Sequence, residues 1–121
     1  MSQSIDHDAR GSTRSAIANA IVRLHAEHVG RGPTRARTHI ADDLVLVVLE
    51  DVFTTAERTL VRTGHGDKVR AARDAFAEAL RDELVAAVEL PSGRRVRAFL
   101  SQTHLDPEMV VEVFVLEPED G

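Results

Sequence analysis

Residues 35–49, Arg-Ala-Arg-Thr-His-Ile-Ala-Asp-Asp-Leu-Val-Leu-Val-Val-Leu, decide the architecture. From Arg35 to Ile40 the residues alternate: Ala36, Thr38 and Ile40 share one side, Arg35, Arg37 and His39 the other. That period of two is a strand. Ala41-Asp42-Asp43 supplies a turn. Leu44–Leu49 is apolar at every position, the pattern of a strand buried on both faces. The stretch therefore predicts a β-hairpin.

Upstream, Ile17, Ala20, Ile21, Leu24 and His28 form one helical stripe. It predicts a helix from about 13 to 29, with Ser12 as N-cap and Gly30 as the residue that ends it. Residues 1–11 are polar and read as a disordered lead-in. Downstream, Thr54-Thr55-Ala56-Glu57 has the form of a capping box, opening a short helix to about Thr63. Gly64-His65-Gly66 breaks it. A long helix is expected from Lys68 to Val88, capped by Asp67, with Val69, Ala72, Phe76, Leu80, Leu84 and Val88 as its apolar stripe and Arg73 on an exposed side. Pro91-Ser92-Gly93 ends that section. A second hairpin follows, 95–101 and 109–117 about an Asp106-Pro107-Glu108 turn, and 118–121 is a tail.

The element order is α-ββ-αα-ββ. It predicts an α+β fold in one domain, 12–117: a four-stranded, mostly antiparallel sheet with helices packed on one face. Val96, Ala98, Leu100, Val111, Val113 and Val115 are expected to face the helices. The opposite face would then carry Val45, Val47, Leu49, Phe99, Val110, Phe114 and Leu116 with Arg35, Arg37, Arg95, Arg97 and Glu112. Such a face is too apolar for water. It predicts a homodimer or larger assembly with Phe99, Glu112, Phe114 and Leu116 as interface residues.

Composition narrows the function. Hydrophobic residues make up 43% and charged residues 29% of the 121, a globular balance. There is no Cys, Trp or Tyr, and only four Phe. Thiolate chemistry is excluded, and stacking platforms for single-stranded nucleic acid are poorly served. The net charge of −5 argues against non-specific nucleic-acid binding. No apolar run approaches the ~20 residues of a membrane helix, and the N-terminus has no signal-peptide pattern; a soluble, cytoplasmic protein is expected.

No catalytic motif emerges. His25/His28, His104/Asp106 and His7 match no metal-site spacing, and neither a nucleophile elbow nor a phosphate loop is present. The chain is expected not to be an enzyme and to need no metal or cofactor. One basic segment stands out, Arg31-Gly32-Pro33-Thr34-Arg35-Ala36-Arg37. Arginine forks suit anions and acidic partner surfaces, so Arg31, Arg35, Arg37, Arg95 and Arg97 are candidate anion- or partner-binding residues. A solvated edge strand, kept from pairing by its charges, is the plainer account of Arg35 and Arg37.

Gly30-Arg31-Gly32-Pro33, the basic strand after it, Leu44–Glu50, Phe53-Thr54-Thr55-Ala56-Glu57-Arg58-Thr59-Leu60, Gly93-Arg94-Arg95-Val96 and the Asp106-Pro107 turn before Val113–Leu116 occur in one order. That ordered set resembles the YbcI-like, MpsC-type family over roughly 13–117, with Phe53 where Leu is common. The resemblance implies an accessory or regulatory protein of a sodium-translocating, membrane-potential-generating system, linked to membrane ion or inorganic-carbon uptake and docking on a membrane-system protein. A small-molecule or anion sensor using Arg31–Arg37 is the alternative reading.

Overall fold

Two hairpins meet in one sheet. The computed structural model describes residues 2–119, with side chains from residue 11. The elements are α1 (Ser2–Val29), β1 (Arg35–Ala41), β2 (Leu44–Glu50), α2 (Thr55–Arg62), α3 (Gly66–Ala79), α4 (Arg81–Ser92), β3 (Val96–His104) and β4 (Met109–Leu116). The strands lie in the order β1-β2-β4-β3, and every neighbouring pair is antiparallel. The α+β class read from the sequence holds, but three helices, not the expected two, separate the hairpins, in the order α-ββ-ααα-ββ.

Helix α1 is longer than expected. Its backbone is helical from Ser2, so 2–11 continue the helix instead of forming a loose lead-in, and Ser12 lies inside it, not at its cap. Residues 1, 120 and 121, which the expected tails included, fall outside the described residues. The stripe keeps Ile17 and Ile21 but ends differently: His25 is buried, whereas His28 is exposed and meets Glu83 of α4 at 3.2 Å.

Helix α2 begins as the sequence indicates. Thr54 Oγ1 accepts from Glu57 N at 3.1 Å, and Glu57 Oε1 accepts from Thr54 N at 2.9 Å. The capping box therefore satisfies two N-terminal amides reciprocally. The expected long helix is two. His65, not Asp67, stands at the α3 N-cap, and the helix breaks at Leu80, where φ is −96° and ψ is 7°. An unbroken helix from Gly66 to Ser92 would run about 40 Å at 1.5 Å per residue. A nine-residue strand spans only about 30 Å. The break keeps both segments over the sheet. Helix α4 then passes through Pro91 and stops at Gly93, which caps it with φ of 67°.

All the helices that contact the sheet lie on one side, but the side is the opposite of that expected. Val45, Val47 and Leu49 of β2, Phe99 of β3, and Val110, Phe114 and Leu116 of β4 join Ile17 and Ile21 of α1, Val52, Phe53, Val69, Leu84 and Val88 in the core. Rings Phe99 and Phe114, cross-strand neighbours, sit 4.9 Å apart. Glu112 is also inside, 1% exposed. The expected interface residues Phe99, Glu112, Phe114 and Leu116 are thus packed beneath the helices of their own chain.

The physical reason is register. The β1–β2 turn is two residues, Asp42-Asp43, with Asp42 in the left-handed region at φ 52°. That turn pairs Arg37 with Val48 and Thr38 with Val47. The arginine side of β1 therefore continues into Leu44, Leu46 and Val48, not into Val45 and Val47. Strand β2 is not buried on both faces: Val45, Val47 and Leu49 are buried and Leu44 is 41% exposed.

Candidate functional site

The open face is a grid. Antiparallel register aligns His39, Leu46, Val113 and Leu100 in one row, and Ala41, Leu44, Val115 and Ala98 in the next. A third row is Arg37, Val48, Val111 and Gln102, and a fourth is Arg35, Glu50, Met109 and His104. None of these residues is fully buried; Leu100 is 59% exposed. The centre is aliphatic, and the β1 edge carries Arg35, Arg37 and His39. Glu50 lies 3.4 Å from both Arg35 and Arg37. A contiguous apolar surface with a charged rim is the anatomy of a protein contact.

The remaining candidate arginines do not assemble into one anion site. Arg31 belongs to a lattice at the end of the sheet. Its Nη1 donates to the carbonyls of Asp51 at 2.6 Å and Phe53 at 3.1 Å, and its Nη2 donates to the Asp51 carboxylate at 3.0 Å. Arg35 and Arg37 point to the open face and share Glu50, so the three guanidiniums are not gathered around a common anion. Arg95 precedes β3 and Arg97 lies at the irregularity between Val96 and Ala98; both are exposed.

The lattice extends across three segments. Arg58 of α2 donates to Glu108 at 3.0 and 2.8 Å and to Asp51. Glu108 also accepts from Phe53 N at 3.2 Å. The hydrogen bond from Thr34, then that from Arg31, holds the Asp51 carboxyl below its ordinary value. Bonding to Glu108 raises Arg58 further into its charged range. Asp51 itself has φ of 55°, a conformation disfavoured for most non-glycine residues and held here by the Arg31 bond to its carbonyl.

Arg73 was expected on an exposed helix side and is 6% exposed. It donates twice to Glu57 at 2.7 Å and once to the Val52 carbonyl at 2.9 Å, and its guanidinium lies 5.4 Å from the Phe53 ring centroid. Burial would raise the Glu57 carboxyl, but bonds from Arg73 and from Thr54 outweigh it and keep it below the ordinary value. No local pattern announces this pair, because its members are sixteen residues apart on different helices.

Among the described residues no group of three or more His, Cys, Asp or Glu is placed to hold a metal ion. No described helix is long and apolar enough to cross a membrane. Fold and face together define a small two-layer α+β protein with one helix-covered and one bare apolar sheet surface.

A family match agrees with the segments that carry the resemblance. Residues 9–118 match the family "Na+-translocating membrane potential-generating system (MpsC)", and the chain belongs to it. It is 25% identical over 92 residues to the "Uncharacterized protein YbcI" of Bacillus subtilis (strain 168), covering 75% of this chain and 74% of that protein. No solved structure matches it. Several family-like residues, Arg31, Glu57 and Arg58, sit in the two ion-pair networks just described.

Proposed function

We propose that this chain is a non-catalytic accessory component of a Na+-translocating, membrane-potential-generating system, and that it works as an assembly in which the open sheet face is covered by a second copy. Family membership supports the first part. The single observation behind the second is the uncovered aliphatic grid of Leu44, Leu46, Val48, Leu100, Val111, Val113 and Val115.

The dimensions suit a self-contact. Four strands about 4.8 Å apart, with same-face residues about 6.8 Å apart, give a planar footprint on the order of 450 Å². Two such faces, enlarged by side-chain relief, approach the ~1,200 Å² lower end of stable interfaces. Arg37 and Glu50 place both signs of charge on the same face, which an isologous contact can use.

Sedimentation equilibrium tests the proposal. The wild-type chain is expected to be dimeric at micromolar concentration. Leu100→Lys and Val113→Lys are expected to be monomeric and still folded, since neither side chain belongs to the core, losing only the stability that association adds. A wild-type monomer up to millimolar concentration refutes the second copy as occupant and leaves the face to a different partner.

A further inference from the structure

The open face is lopsided, and the strand register says how. Among the residues of its four rows, the only Arg, Lys, Asp or Glu side chains are Arg35, Arg37 and Glu50. All three fall in β1 and β2, toward one end of the strands. The middle columns, β2 and β4, are aliphatic in three of the four rows, where Leu44 pairs with Val115, Leu46 with Val113 and Val48 with Val111. The β3 edge carries two polar residues, Gln102 and His104, in the same rows as Arg37 and Arg35. A two-fold contact must place this pattern on itself.

Sheets stacked in the aligned class keep their strands within about 30° of one another, which leaves two isologous arrangements. In the first the axis lies across the strands. Each strand then covers its own copy and the rows reverse. Gln102 is set on Leu100, Arg35 on Ala41, and the two copies of Arg37 stand in one column about 7 Å apart in the plane, inside a Debye length of about 8 Å. In the second the axis runs along the strands between β2 and β4, and each row covers itself. Leu44 meets Val115, Leu46 meets Val113 and Val48 meets Val111. Arg37 meets Gln102, whose side-chain carbonyl can accept from a guanidinium. The two arginine columns then lie at opposite edges, about 14 Å apart in the plane, beyond the screening length. Arg97, at the β3 irregularity beside Ala98, sits at the other end of the strands from Arg35. Glu50 faces an apolar residue in both arrangements, Leu44 or Met109, and does not choose between them.

We infer that the second copy packs in the latter way, its strands parallel to those of the first, with β1 of each copy covering β3 of the other. This rests on the self-association proposed above and specifies its geometry. Aliphatic rows meet aliphatic rows, and the cations of each copy meet polar groups instead of one another.

The chain has no Cys, so single-cysteine variants treated with a short bismaleimide report the arrangement directly. Leu44→Cys and Met109→Cys lie at the two ends of the inferred axis. Each would sit about 5 Å in the plane from its own copy, against about 20 Å for an axis across the strands. His39→Cys behaves in the opposite sense, at about 14 Å and about 7 Å. Covalent dimer is expected as the major product at Leu44→Cys and Met109→Cys, with little at His39→Cys. Sedimentation checks that each variant still associates; where one end variant dissociates, the other decides. Crosslinking at His39 in preference to the ends, or at none of the three, overturns the inference while a sedimenting dimer keeps the self-association standing. A monomeric wild type overturns both.

Discussion

Arg73→Met is expected to be among the most destabilising single changes available outside the aliphatic core. The native guanidinium is nearly fully buried and makes three hydrogen bonds, two of them to the Glu57 carboxylate at 2.7 Å and one to the Val52 carbonyl at 2.9 Å. Methionine fills a similar length but donates nothing. It leaves a half-buried carboxylate without its counter-charge and a buried carbonyl without its donor. Breaking one member of a buried pair costs about 3–5 kcal/mol, mostly through the partner left behind. Native domains of this kind are stable by about 5–15 kcal/mol, so the loss is a large share of the whole. At about 3–5 °C per kcal/mol for a chain of this length, the melting temperature should fall by roughly 10–20 °C. The assay is urea denaturation of the wild type, Arg73→Met, Glu57→Gln and the double variant. The double variant should lose far less than the sum of the singles, because each partner is costly chiefly when left alone. Arg70→Met, exposed on the same helix, should stay within about 0.5 kcal/mol. A loss below 1 kcal/mol for Arg73→Met, or simple additivity with Glu57→Gln, refutes the reasoning.

Thr54→Ala removes one half of the α2 capping box and should cost about 0.5–2 kcal/mol with the assembly state unchanged, measured by the same denaturation. Gly93→Ala places a Cβ at φ 67°, so a loss of about 1–2 kcal/mol is expected, although nothing lies within 4 Å of the added atom; a neutral result would show that the α4 end relaxes. Acid should be destabilising in a defined way. Asp51 and Glu57 are held below their ordinary values of 3.8 and 4.5, so their contribution is present above about pH 4.5 and is lost as the pH falls through the lower folded values. Glu57→Gln should flatten that acid limb of a stability–pH profile; an unaltered slope would assign it to other carboxyls.

Much of this architecture is legible from local pattern. Asp42-Asp43 marks a turn, Thr54–Glu57 carries its own cap, and Gly93 stops a helix. The uncovered sheet face is legible as well, in the sense that four strands with apolar residues on both sides and helices enough for one must leave a surface bare. Which surface is bare is not legible from apolarity. In β4, Val111, Val113 and Val115 are as apolar as Val110, Phe114 and Leu116, and a shift of one residue exchanges the two sets. Counting the β1–β2 turn as three residues instead of two was enough to attach Arg37 to the wrong neighbours. Glu112 added to the error, because an acid in a strand reads as solvent-facing until His25, 87 residues earlier in the chain, is seen above it. The break at Leu80 has no Gly or Pro to signal it; it answers to the length of the sheet.

A sheet with two apolar faces still needs a reason to put its helices on one of them, and the aliphatic side chains do not supply it. Strand β1 does. Packing the helices on the present open face would bury Arg35, Arg37 and His39 at the edge with one carboxylate, Glu50, 3.4 Å from the two arginines, and ions taken from water without full pairing cost several kcal/mol each. Covering the present core face buries Ala36, Thr38 and Ile40 instead, whose only polar group is one hydroxyl. The buried polar groups act in the same sense. Glu112 meets His25 only if α1 crosses the face on which both now lie, and Arg73 reaches the Val52 carbonyl only if α3 descends on the same side. A helix layer on the wrong side would leave the arginines desolvated and these bonds unmade. Hydrophobicity therefore favours burying either face, while a few charges decide that the helices take one and leave the other bare.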